Sequence, residues 1–130
     1  MSALLNGTSA CDARLVGLIA GESRRGPRRN GLYALWLVVR TAEGLLPPAP
    51  VSRKNHKRRL QALEVRLGSL ALPAPLKRAL VAARTHLEPG TPEAAAAVLS
   101  QLVAPAREVL GTDAADAIMG AAEEAKRLRG

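Results

Sequence analysis

Apolar side chains recur along this chain at helical spacing, and proline and glycine cut the recurrence into helix-sized lengths. Leu60, Leu63, Leu67 and Leu70 repeat with heptad-like steps, and Leu76, Leu80, Ala83 and Leu87 repeat the pattern beyond the break at "LPAP". Steps of three and four place residues on one face of a helix, whereas a strand needs steps of two. The chain is therefore expected to be all-α: a compact multi-helix bundle of about five to six helices, largely antiparallel. At 130 residues it forms a single domain by length, with enough buried surface to fold without a disulfide or metal. Only 2% of residues are aromatic and Phe is absent, so Leu and Ala must build the core.

Local signals set the expected boundaries. Residues 1–8 read as a short lead-in. Ser9 caps a first helix over about 9–22, with Asp12 placed as in a capping box. Cys11, Leu15 and Leu18 lie on its apolar stripe. Gly, Pro and Asn mark 21–31, "GESRRGPRRNG", as a loop carrying four arginines. Asn30 is the expected cap of a second helix that runs to Glu43, with Gly44 at C′. Leu32, Leu35, Trp36 and Val39 mark one face of that helix, and Tyr33, Leu37 and Val38 fill much of the other. It is the expected central helix, and Tyr33 and Trp36 are read as core.

Adjacent prolines make 44–52 a stiff, extended connector. Ser52 caps a third helix over 53–70, and Pro75 opens a fourth. Thr91-Pro92-Glu93 starts a fifth over 92–104, which Pro105 kinks or ends. A short segment then reaches Leu110 and Gly111, and Thr112 with Asp113 and Asp116 opens a last helix.

Charge is the least even property of the sequence. Residues 1–70 hold twelve Lys/Arg against four Asp/Glu, while 71–130 hold seven of each, so the whole excess of +8 sits in the first half. Such asymmetry points to a polyanionic partner. Arg53, Lys54, Lys57, Arg58 and Arg59 crowd the start of the third helix, where the macrodipole is already positive. Each cation there costs a few tenths of a kcal/mol, roughly, and mutual repulsion adds to it. A phosphate at the same helix end reverses the sign of that cost.

These five residues are the expected main nucleic-acid contacts, with Arg24, Arg25, Arg28 and Arg29 auxiliary. If the second and third helices run antiparallel, the two clusters form a stripe along the molecule instead of a point site. The expected function is nucleic-acid binding through phosphates, to duplex DNA or structured RNA, including as an accessory subunit of a nucleoprotein complex. The sequence has no helix-turn-helix, zinc-finger or RNP signature. The alternative is an adaptor acting through Ala- and Leu-rich faces at 94–103 and 114–125, by self-association into a homo-oligomer or by binding a protein partner. Anionic membrane-surface binding ranks third, because the basic turns lack bulky apolar anchors.

Other chemistries find little support. His56, His86 and Cys11 fall on three different helices without ligand spacing, so neither a metal nor another cofactor is expected. No Gly-rich phosphate loop is present, and Asp113, Asp116, Glu123 and Glu124 suit helix starts and surface, so an enzyme is not expected. The longest apolar run, "LYALWLVV", is too short for a membrane span, and the N-terminus lacks a secretory pattern. A cytoplasmic protein is expected, with an Arg-, Ala-, Gly- and Pro-rich composition that fits a GC-rich bacterial genome.

Overall fold

The helical periods become six helices in the computed structural model, which describes residues 9–22 and 26–129. They are α1 (Ala10–Ala20), α2 (Pro27–Glu43), α3 (Arg53–Ser69), α4 (Ala74–His86), α5 (Pro92–Leu110) and α6 (Thr112–Arg129). The described residues contain no strand. Leu and Ala fill one core: Leu15, Leu32, Leu35, Leu76, Leu80, Leu87, Leu99, Leu102 and Leu110 are sealed from solvent. Burying each such side chain is worth about 1.5–3 kcal/mol, which makes the aliphatic core the main support of the bundle. The helix α2 is central, since it packs against all five others.

Local caps fix most helix starts. Ser9, Ser52 and Thr91 each accept a hydrogen bond from the amide three residues on, at 3.0, 3.2 and 3.1 Å. Asp12 does not return to the Ser9 end as a capping box; its Oδ1 accepts from Trp36 Nε1 at 2.6 Å and ties α1 to α2. Short connections then fold α3, α4, α5 and α6 back on one another in sequence. Gly111, the lone residue between α5 and α6, has φ +99° and ψ 178°, a conformation that L side chains avoid.

Four expectations are corrected. The second helix begins at Pro27, not after Asn30, because Pro27 occupies the first turn where its missing N–H costs nothing. Arg28, Arg29 and Asn30 are therefore helical, and Asn30 Nδ2 donates to Ala71 O instead of capping. Gly44 is right-handed, with φ −64°, and serves a different purpose: a Cβ there would lie 2.9 Å from Arg59 Nη1.

The connector 44–52 is a folded loop rather than an extended spacer, with Val51 N donating to Gly44 O at 2.8 Å and a cis Pro47–Pro48 bond. Burial of Leu45 and Leu46 pulls it inward. Finally, α5 continues through Pro105 to Leu110. The ring removes one backbone donor, and burial of Leu102, Ala106 and Leu110 against the bundle holds both halves in one helix. The expected lead-in 1–8 lies outside the described residues.

Candidate nucleic-acid interface

The first two turns of α3 are a sleeve of cations around one buried imidazole. Arg53, Lys54, Lys57, Arg58 and Arg59 are all exposed, and none joins an ion pair among the described residues. His56, only 3% exposed, points the other way and lies 2.7 Å through Nε2 from Leu87 O at the end of α4. Because a carbonyl only accepts, Nε2 carries the proton of this bond. His56 thus fastens the start of α3 to the α4–α5 turn, where a Cβ on Gly90 would meet the ring at 3.1 Å. The cations project from an anchored helix end, not from a frayed one.

These cations divide by direction. Arg53 and Lys57 border a depression of about 510 Å³ with Glu88, Gly90 and Thr91. Arg59 turns toward α2 and crosses over Gly44. Helix α3 runs antiparallel to α2, as the contact of Arg66 Nη1 with Tyr33 Oη (2.8 Å) and that of Arg59 with Gly44 require. The start of α3 and the start of α2 therefore lie at opposite ends of the pair.

At that far end the arginines have other work. Arg28 pairs through Nε with Glu22 at 2.9 Å, and its Nη1 donates to Leu110 O, closing the last turn of α5. Arg29 is half-buried in the first turn of α2. Arg24 and Arg25 lie outside the described residues. Thus 53–59 come together as expected, and Arg28 and Arg29 stand apart from them.

Between the two ends the structure adds residues that sequence reasoning missed. Tyr33, Trp36, Leu37 and Arg40 on α2 face Arg59, Ala62, Leu63 and Arg66 on α3 across a cleft of about 260 Å³. Tyr33 and Trp36 are half-buried at this rim, and Trp36 packs against the hydrophobic core as its helix position suggested. Their ring centroids are 5.8 Å apart, and the Arg40 guanidinium sits 5.1 Å from the Trp36 centroid, in cation–π range. Arg40 also lies 3.9 Å from Asp12. Each helix supplies lining residues at i, i+3, i+4 and i+7, the spacing of a packing seam, and α2 adds Thr41. Arg29 falls on the same face of α2, four residues before Tyr33. That register was the available signal: Arg59 and Arg66 are seven apart, as are Tyr33 and Arg40.

A polar cluster of Ser9, Cys11, Asp12 and Glu43 adjoins Trp36 and Arg40. Cys11 is buried and its thiol is pushed up to about 12, by burial first and then by the charges of Glu43 and Asp12. A thiol so held is a poor nucleophile. Burial likewise raises the Glu43 carboxyl above its ordinary 4.5, opposed by the Ser9 hydroxyl, which donates to Oε1 at 3.0 Å. His86 is exposed and 3.1 Å from Gln101 Oε1. Among the described residues no three His, Cys, Asp or Glu side chains cluster as metal ligands, and no helix is long and apolar enough to cross a membrane. The chain matches no family model, no curated protein and no solved structure.

Proposed function

We propose that this protein binds nucleic acid through phosphates, along an edge formed by α3 and the adjoining face of α2. The observation that carries this reading is the set of five exposed cations at the start of α3, none of them neutralised by a carboxylate among the described residues. Five like charges at a positive helix pole oppose folding, and a bound phosphate backbone turns the same charges into contacts. Arg59 and Arg66 carry the positive charge on along the cleft beside Arg40, which Asp12 partly neutralises, and such an edge suits a polymer of repeated phosphates better than a single ion. The small residues of the alternative adaptor surface are largely spent inside the chain: Ala95, Ala96, Val98, Leu99, Ala114, Ala117, Ile118, Ala121 and Ala125 are buried.

The test is fluorescence anisotropy with labelled duplex DNA, structured RNA and single strands at 50 and 200 mM salt. With about six phosphates contacted, affinity falls roughly 10³-fold between those salts. Replacement of Arg53, Lys54, Lys57, Arg58 and Arg59 by Gln abolishes most binding and flattens the salt dependence. Affinity indifferent to salt, or to this replacement, would reject the reading.

A further inference from the structure

The cleft between α2 and α3 has a lining that phosphate binding alone does not call for. Three arginines, Arg40, Arg59 and Arg66, surround two half-buried aromatic rings and the apolar side chains of Leu37 and Leu63. Arg66 reaches Tyr33 Oη, and Arg59 makes no ion pair among the described residues. The lining itself contains no carboxylate. Asp12 at its edge accepts from Trp36 Nε1 and lies 3.9 Å from Arg40, so the positive charge left without a carboxylate among the described residues is that of Arg59 and Arg66. Its complement is an anion, and the Tyr33 and Trp36 rings offer a flat apolar surface beside it. A duplex keeps its bases stacked inside and presents phosphates and groove edges, so it leaves the rings unused. An acidic peptide complements the arginines and leaves the rings without a planar partner.

We propose that this cleft takes a single-stranded segment of nucleic acid, with an unpaired base against Tyr33 and Trp36 and its flanking phosphates on Arg59 and Arg66. The proposal rests on the nucleic-acid reading above and narrows it to one strand at this position. Base–aromatic stacking tolerates any sequence, because every base has a π-face, and arginine adds a cation–π share. Arg40, already stacked over Trp36, would move aside or sandwich the incoming base. Arg59 and Arg66 are two turns apart on α3, about 10 Å along its axis, and both side chains line the cleft.

Trp36 is the only tryptophan, so its emission reports on this cleft directly. The wild-type protein is titrated with a fluorescein-labelled dT12 oligonucleotide while anisotropy and Trp36 emission are followed in parallel. Inorganic polyphosphate and poly-L-glutamate serve as polyanions without bases. The expected result is that dT12 changes Trp36 emission as it binds, while saturating polyphosphate leaves it unchanged. Tyr33→Leu then weakens dT12 about tenfold and leaves polyphosphate affinity as it was.

Binding of dT12 in anisotropy with silent Trp36 emission would overturn the proposal and leave the phosphate reading standing. An equal emission change with polyphosphate would overturn it in the same way. An equal change with poly-L-glutamate would assign the cleft to an acidic protein. Absence of binding by any nucleic acid would remove both readings. The wild-type comparison decides the matter even if the Tyr33 variant fails to fold.

Discussion

Glu43 sits where a charge is least welcome, half-buried at the end of α2 beside Ser9, Asp12, Cys11 and Arg40. Burial lifts its pKa above the ordinary 4.5, and the Ser9 hydroxyl and Arg40 offset only part of that. The folded state therefore holds this proton more tightly than the unfolded chain does. Its stabilising share is complete below about pH 4.5 and is lost as pH rises through the folded value. Glu43→Gln keeps an acceptor for Ser9 and removes the charge. It is expected to raise Tm at pH 7 and to have no such effect at pH 4, as thermal melts at the two pH values will show. A stabilisation equal at both would place the effect in packing rather than in ionisation. Residues of this kind were poorly legible in the sequence. Nothing local to Glu43 says that Ser9, 34 positions earlier, will cover it.

Helices were the most legible level, because their ends are decided within a few residues. Ser52 and Thr91 cap as their neighbours dictate, and Leu60, Leu63 and Leu67 of the first seam and Leu76, Leu80, Ala83 and Leu87 of the second are buried where the period placed them, with Leu70 only partly buried. Errors arose where distant packing overruled a local rule. The 44–52 loop folds inward for Leu45 and Leu46, and α5 tolerates Pro105 because its far side is buried.

The start of α3 is the reverse case, a local rule broken on an exposed surface. With no polyanion present, the five cations repel one another and the dipole. Changing all five to Gln is expected to stabilise the free protein by about 1 kcal/mol at low salt. The gain shrinks as screening rises from 50 mM to 500 mM salt. Urea melts of the two proteins at both salts measure it, and a less stable variant would mean that these side chains support the fold.

At the scale of the molecule, charge asymmetry was legible from residue counts, but its layout was not. Whether the clusters at 24–29 and 53–59 meet depends on how α2 and α3 are paired, and the pairing sets Arg28 and Arg29 at the opposite end from 53–59. The cleft was hidden for the same reason: Tyr33 and Trp36 belong to an apolar helix, and only the position of α3 shows that their face reaches the rim.

On the proposed reading, the antiparallel α2–α3 pair acts as a ruler. From Arg53 to Arg66, α3 spans about 20 Å, the reach of roughly six phosphates along one strand of a duplex. Oligonucleotides shorter than that meet only part of the edge. Affinity per molecule should climb with length and level off near six to eight nucleotides, where further units find no more protein. An anisotropy series from four to sixteen nucleotides measures that footprint, and a curve already flat at four would mean that one end of the edge acts alone.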